Sequence, residues 1–487
     1  MRASHASALF FALLVLVSVP GGARAQSIEQ TLSGLVSSSG LSDRVGIAVV
    51  DVHTGQALFS HRAEVPMNPA SNQKLLTAYA ALRRLGPQFT MRTAAYGHLE
   101  GGRIDGGIVI RGYGDPRLSY GDLNELAREV HLAGARRASH VIVDATYFDA
   151  QTLPNAFEQQ PDETATFRAP ISAVAVDRNS YVLRVRPGSE AGAPAIIDLL
   201  GAPYFQLTNR CTTSASGAPN VIADQRPGDA HMILRLSGTI PLGVRGASYP
   251  RRIEDPLPWV GYVFADALRA QGVEVGERVE IGSTPSDAAL LGSHESEPVS
   301  ELIHALGKHS DNFVAEMLFR VMGAERHRPG SSDDSIAALR ETLATIGVGD
   351  GVEIVNGSGL FEGNRVAPRD LARLLREAYR DPTIGHELVS SLAIGGVDGT
   401  LENRLRDLPA PRIVRAKTGT LAAVIALSGY VLGPTPEQVY AFSFLANDVR
   451  GRQGQARALA DDVARALAAR LYPRGRSTAE SERTATP

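Results

Sequence analysis

Three short groups of residues have the types and spacing for acyl transfer. The first is Ser71-Asn72-Gln73-Lys74, which opens a segment, 71–85, whose periodicity predicts a helix ended by Gly86-Pro87. Positions i and i+3 share one helix face, so the Ser71 hydroxyl falls beside the Lys74 amine. A helix N-terminus offers free N–H groups and a partial positive charge, which favour an anion forming at serine and disfavour a nearby ammonium. Lys74 is thereby helped towards the neutral base that a serine hydroxyl needs to become a nucleophile. The second group is Ser310-Asp311-Asn312, preceded by Lys308-His309 and placed just before a predicted helix. The third is Lys417-Thr418-Gly419-Thr420 on a predicted strand. Gly419 leaves room there for another backbone, so an extended peptide can add to the strand. Lys417 and Thr418 supply a charge and a hydroxyl for a terminal carboxylate. Taken singly, each group has a plainer reading: a serine N-cap, a Ser/Asp/Asn cap and a surface turn.

Lysine usage sets these groups apart. Of 49 basic residues only Lys74, Lys308 and Lys417 are lysines, and all three lie in or within two residues of the groups. Arginine keeps its proton in proteins, whereas a buried lysine can lose it. A chain that otherwise uses arginine for positive charge keeps lysine where a removable proton is of use.

The elements that must position these residues fall into two textures. A short helix is expected over 28–36, a hairpin over 45–52 and 57–61, and the helix 71–85. From 90 to 295 short β-rich runs separated by Gly, Pro and Asp turns predict a mainly-β insert of one or two small domains. Helical periodicity returns at 299–306, 312–322, 332–346 and 368–379, followed by strands at 414–417, 426–431 and 438–446 and a long helix at 454–471. The expected fold class is α/β (α+β), an antiparallel sheet flanked by helices. The expected division is one discontinuous domain, 26–92 with 296–473, interrupted by 93–295, with a polar tail at 474–487.

Length and composition bound the rest. A chain of 487 residues holds two to four domains. A net charge of −3 argues against a nucleic-acid binder. A single cysteine, Cys211, excludes a disulfide framework and a Cys-rich metal site within one chain, and it reads as a lone thiol. Residues 1–25 read as a secretory signal peptide: Arg2, a twelve-residue apolar run over 8–19, and Ala23-Arg24-Ala25 as the cleavage site. That run is short for a span, and no later segment is long and apolar enough, so the mature chain is expected outside the cytoplasm, periplasmic or otherwise secreted. No H-E-x-x-H, G-x-S-x-G, phosphate-loop or dinucleotide pattern occurs among twelve histidines and 48 glycines. His304 and His309 read as surface or supporting residues, and Gly357-Ser358-Gly359 as a tight turn.

S-x-x-K, S-D-N and K-T-G in that chain order occur in penicillin-binding proteins and class A β-lactamases. The chain resembles the low-molecular-mass class C penicillin-binding proteins, the D-alanyl-D-alanine carboxypeptidase/endopeptidase group. The likeness extends to Asn356-Gly357-Ser358-Gly359-Leu360, Gly396-Val397-Asp398-Gly399-Thr400, Gly114-Asp115-Pro116 and Val176-Asp177-Arg178-Asn179. The 239 residues between Ser71 and Ser310 match the family's two inserted domains, one nested in the other. The resemblance implies a serine transpeptidase/β-lactamase-like fold, peptidoglycan stem peptides as substrates, acylation by β-lactams, and no metal or organic cofactor. It implies Ser71 as nucleophile, Lys74 as base, Ser310 as proton relay and Asn312 on the substrate amide. Lys417 and Thr418 hold the carboxylate, and the N–H groups of Ser71 and Thr420 form the oxyanion hole. Asp162 matches an acidic substrate-binding residue of members that grip a diaminopimelate end. Their neighbouring tryptophans are replaced here by Phe157-Glu158-Gln159-Gln160-Pro161, and Glu362 stands at their arginine position, with Arg365 three residues on. The rival readings are a β-lactamase, against which the large insert speaks, and a non-catalytic cell-wall binding protein.

Overall fold

The computed structural model describes residues 27–199, 202–229, 231–349 and 351–473. The expected signal peptide and polar tail lie outside them. The first element is the helix Ile28–Ser38, where the Ser27 hydroxyl accepts from the Gln30 backbone N–H and the Gln30 side-chain oxygen accepts from the Ser27 backbone N–H. Segments from before and after the 92–295 stretch then meet in one six-stranded sheet. Its order is Ala393–Ile394, Val414–Leu421, Val424–Leu432, Val439–Ala446, Val45–Asp51, Ala57–His61. All neighbouring strands are antiparallel.

The central strands are apolar on both faces, which dictates cover on both sides. Ile425, Leu427 and Val431 join Phe442 and Phe444 beneath the helices Ile28–Ser38 and Gln453–Leu471. Ala426 and Tyr430 point the other way, into a core shared with Leu75, Leu76, Phe313 and Leu318. The helices of that second layer are Gln73–Arg84, Val299–His309, Asn312–Ala324, Ser332–Ala344 and Pro368–Arg380. The expected fold class is borne out.

Residues between Arg92 and Glu295 leave this layer pair. Strands at Arg92–Glu100, Arg103–Gly112, Arg137–Ala138, Val141–Asp144, Glu274–Val275, Val279–Ile281 and Ala289–Glu295 form one mixed sheet. Within its span, Ser180–Arg186, Ile196–Asp198 and Ala247–Arg252 make one three-stranded sheet, and Phe205–Ser214, Asn220–Pro227 and Met232–Pro241 another. The β-rich texture is therefore present, but the region also holds helices at Tyr120–Leu132 and Pro256–Ala270. Parallel pairs such as Ile108↔Val141 and Val279↔Val141 need crossovers, and these helices supply them and cover the sheet. The helix Gly385–Ser391 is likewise additional to the sequence reading.

Among the described residues no helix is long and apolar enough to cross a membrane. Leu427 lies fully buried in the central strand, whereas Ile281 is half exposed at the insert surface. Leu427→Ala is expected to destabilise the core by about 2–5 kcal/mol. Thermal unfolding followed by circular dichroism should show a lowered Tm for this variant and little change for Ile281→Ala.

Candidate active site

Ser71 sits in a single 3-10 turn, Ala70–Asn72, and the α-helix begins only at Gln73. It does not act as an N-cap: the capping position falls on Asn72, which makes no side-chain cap bond. Asn72 is buried between the Lys417 carbonyl at 2.9 Å and the Ser428 hydroxyl at 2.7 Å, and thereby ties the Ser71 turn to the Lys417 strand. The tight turn remains compatible with the expected contact, because Lys74 Nζ lies 3.1 Å from Ser71 Oγ.

The same Nζ donates to Asn312 Oδ1 at 2.7 Å and to the Ser358 carbonyl at 2.7 Å. Two groups separated by 238 positions in the chain thus converge on one amine. Lys74 is 1 % exposed, and burial brings its pKa from 10.5 down to about 7, against the upward pull of Glu316 and Asp311. About half of a lysine so held is a neutral base at pH 7.

Ser310 and Asn312 reach the site through a helix junction. Ser310 closes the helix Val299–His309 in the left-handed region, at φ 59°, and Asp311 opens the next helix by accepting from the Val314 amide at 3.1 Å. Lys417 Nζ donates to Ser310 Oγ at 2.9 Å and to the Thr418 carbonyl at 2.7 Å. Lys417 is also buried, and burial together with the Lys74 charge holds its pKa well below the usual lysine range.

The strand Val414–Leu421 pairs fully with Val424–Leu432, but on its other edge only Ala416 and Arg415 have partners, in Ala393 and Ile394. Among the described residues the Lys417–Thr420 stretch therefore keeps one edge without a strand partner, which is where a peptide can add. Gly419 has a different use from the one its sequence context suggests. A Cβ there would lie 2.9 Å from the Pro69 carbonyl, so the space is taken by the chain's own Ser71 turn. Thr418 donates to Thr400 at 2.9 Å, and Thr420 is exposed.

Lys308 stands apart from the centre. It pairs with Asp398 at 2.8 Å, and Asp398 accepts from the Ile394 amide at 2.7 Å. That pair anchors the turn that carries Thr400. Asp162 is exposed, on the loop between the turns Phe157–Gln159 and Thr166–Arg168, and forms no hydrogen bond or ion pair among the described residues. The turn Thr166–Arg168 that ends this loop borders the site, since its Phe167 carbonyl accepts from Asn312 Nδ2 at 3.0 Å. Glu362 accepts from Asn68 Nδ2 at 3.0 Å, its backbone is held by Gln159, and Arg365 lies 3.7 Å from it.

One residue at this centre is absent from the sequence reading. Glu316 is 2 % exposed and its two oxygens accept from the Gly357 and Ser358 amides at 3.1 and 2.7 Å. It fixes the turn whose carbonyl holds Lys74. Burial pushes the Glu316 carboxyl up, and its hydrogen bonds and the Lys74 charge oppose this. The available signal was its place four residues after Asn312, one helical turn along the same face. Gly359, at φ 74°, lets this turn cross within contact of Ala70, where a Cβ would meet the Ala70 carbonyl at 1.9 Å. Among the described residues no cluster of three or more His, Cys, Asp or Glu has metal-binding geometry, and Cys211 is buried in the insert.

The family model described as D-Ala-D-Ala carboxypeptidase 3 (S13) matches residues 28–469, and the chain belongs to that family. It is 34 % identical over 470 residues to a D-alanyl-D-alanine carboxypeptidase of Actinomadura sp. strain R39, covering 92 % of this chain and 85 % of that one. It is 27 % identical to the D-alanyl-D-alanine carboxypeptidase DacB of Haemophilus influenzae, over 82 % of this chain and 85 % of that one. The structure of penicillin binding protein 4 (dacB) from Haemophilus influenzae superposes with a TM-score of 0.76 at 26 % identity, covering 91 % and 99 % of the two chains. The same protein complexed with a β-lactam superposes with a TM-score of 0.72 at 25 % identity. The family resemblance carried by the motifs is borne out.

Neutral Lys74 accumulates as pH rises through its pKa, so acylation by benzylpenicillin should accelerate with pH, with a midpoint near 7. Glu316→Gln removes a charge that favours the Lys74 ammonium and leaves one loop amide facing an NH2 group. Stopped-flow acylation of this variant is expected to be slower by about tenfold or more, with the midpoint moved to lower pH. An unchanged rate and midpoint would exclude this role of Glu316.

Proposed function

We propose that the chain hydrolyses the terminal D-Ala–D-Ala bond of peptidoglycan stem peptides through an acyl-enzyme on Ser71. The observation that carries this reading is the buried Lys74 amine within hydrogen-bond reach of both Ser71 Oγ and Asn312 Oδ1.

The stem peptide lies as an added strand along Lys417–Thr420, with its terminal carboxylate at Lys417 and Thr418 and its amide at Asn312. Neutral Lys74 takes the Ser71 proton as Oγ attacks the penultimate D-alanine carbonyl carbon. The oxyanion is stabilised by the N–H groups of Ser71 and Thr420, each donor being worth roughly 2.7–4 kcal/mol. As the tetrahedral centre collapses, the Ser310 hydroxyl, bonded to Lys417, gives its proton to the departing amine and is reprotonated by the proton that Lys74 took from Ser71, which leaves Lys74 neutral again. Terminal D-alanine leaves and an ester remains on Ser71. Water then hydrolyses the ester and restores the serine hydroxyl. A β-lactam enters the same route, but its amine stays tethered to the acyl group after ring opening. Asp162, on the loop that ends in the turn whose Phe167 carbonyl touches Asn312, contacts the side chain of the residue before D-alanine.

The same reading divides the chain into a discontinuous catalytic domain, 26–92 with 296–473, and an inserted region, 93–295. Residues 1–25 direct export to the periplasm or another extracytoplasmic space. Intact mass spectrometry after incubation with benzylpenicillin tests the centre of the proposal. A single-drug adduct is expected on the wild type and none on Ser71→Ala. Drug consumed without an adduct would favour a β-lactamase. Drug left intact with no adduct would favour a non-catalytic cell-wall binding protein.

A further inference from the structure

A strained turn far from Ser310 in sequence reaches the helix junction that carries it. Asp177, Arg178 and Asn179 all hold positive φ, at 48°, 59° and 48°. Left-handed backbone crowds Cβ against the following carbonyl, and arginine lacks the short polar side chain with which Asn and Asp ease that crowding. The turn is nevertheless fastened at several points. The Asp177 N–H donates to the Leu118 carbonyl at 2.9 Å, and the Asn179 carbonyl accepts from the Ile253 N–H at 2.8 Å. The Asn179 side chain is fully buried and donates to the Pro170 carbonyl at 2.9 Å and to Ser172 Oγ at 3.3 Å.

What the turn presents is Arg178. Its guanidinium lies 3.3 Å from Asp311 Oδ2, while Asp311 Oδ1 accepts from the Val314 N–H at 3.1 Å and opens the helix Asn312–Ala324. One carboxylate thus ties the turn to the residue between Ser310 and Asn312. Arg178 is half exposed, and an ion pair so open to water adds little to stability. Strain maintained for a contact of small structural worth is a mark of function.

Charge supplies that function. Asp311 favours the ammonium form of Lys74, as does Glu316. The third charged group at the amine is Lys417, whose own proton affinity falls in the field of Lys74. Of these groups, Asp311 has an arginine set against it. Arg178 also faces Asp177 of its own turn and shares a small cavity with Arg117, which pairs with Glu297 at 2.8 Å. His309 lies on the same cavity wall as Asp311.

We infer that Arg178 is a positioning residue for acylation: it holds the Asp311 carboxylate at the junction that presents Ser310 and Asn312, and it offsets the Asp311 charge at the catalytic amine. The inference rests on the proposed acyl-enzyme. Without Arg178 the unmatched carboxylate favours the Lys74 ammonium, so the neutral base becomes scarcer and the loss is greatest at low pH.

The test compares wild type, Arg178→Gln, Arg178→Lys and the double variant Arg178→Gln/Asp311→Asn by the rate of benzylpenicillin acylation across about pH 5 to 9. Each replacement keeps a Cβ at position 178, so the backbone strain is the same in all. For Arg178→Gln the midpoint is expected to move to higher pH by roughly half a pH unit. Acylation is then about threefold slower at about pH 6 and within about twofold of wild type at about pH 9. Arg178→Lys should return the midpoint to near that of wild type. The double variant should bring it back down, because the charge that Arg178 offsets is gone. These last two variants carry the test if Arg178→Gln folds poorly. A midpoint unmoved in Arg178→Gln, or one that lysine fails to restore, would overturn the inference. So would an equal fall at every pH, which marks a purely structural contact. A wild type that penicillin fails to acylate would instead overturn the acyl-enzyme on which the inference rests.

Discussion

A lysine amine that is kept dry and still fully hydrogen-bonded is the constraint on which the site depends. Bringing Lys74 from 10.5 to about 7 corresponds to roughly 5 kcal/mol against its ammonium form. Burial outweighs the attraction of Glu316 and Asp311, so the amine stays poised between its two states. Each partner of Nζ comes from a different part of the chain: Ser71 from the turn before its own helix, Asn312 from a helix junction, Ser358 from a turn clamped by Glu316. Loss of any one of these supports moves Lys74, Ser71 or both. The tight approach of Gly359 to Ala70 follows from the same need to close the amine off from water.

Residues of the 93–295 stretch meet this centre at several points, among them the Asn155 carbonyl, which accepts from Asn356 Nδ2 at 3.0 Å. The Phe167 carbonyl takes one N–H of Asn312, and Arg178 meets Asp311. Phe167 and Arg178, which lie between the Ser71 and Ser310 groups in sequence, thus border Asn312 and Asp311 in space. Lys308 has a comparable supporting part on the opposite side, where its pair with Asp398 secures the turn that places Thr400 on Thr418.

Much of this was legible in the sequence because helical and strand periodicities are local. The helices at Asn312–Ala324 and Pro368–Arg380, and the strands around Lys417, Leu427 and Phe444, lie within a few residues of their expected places. The three motifs could be read together because chemistry restricts residue type, and because lysine is scarce here. What was not legible depends on long-range contact. The local pattern has Ser71 beginning a regular helix, whereas Ser71 sits in a 3-10 turn where the chain around Gly359 passes close to Ala70. Tyr120–Leu132 and Pro256–Ala270 were hidden among β-rich segments whose parallel pairing only the full fold reveals. Gly419 signalled a close backbone, but not that the backbone is Pro69 of the same chain. Glu316 gave no motif, since a buried acid on a helix reads as an ordinary surface residue until its loop partners are seen.

Because the chain holds only three lysines, the central claim is open to direct observation. Mature protein labelled with [ε-13C]lysine should give three side-chain signals, assigned by the single replacements Lys74→Arg, Lys308→Arg and Lys417→Arg. A pH titration followed by NMR is expected to show the Lys74 signal changing with a midpoint near 7. A Lys74 signal that titrates near 10 would contradict the account, because the amine would then be an ammonium at working pH and unable to accept the Ser71 proton.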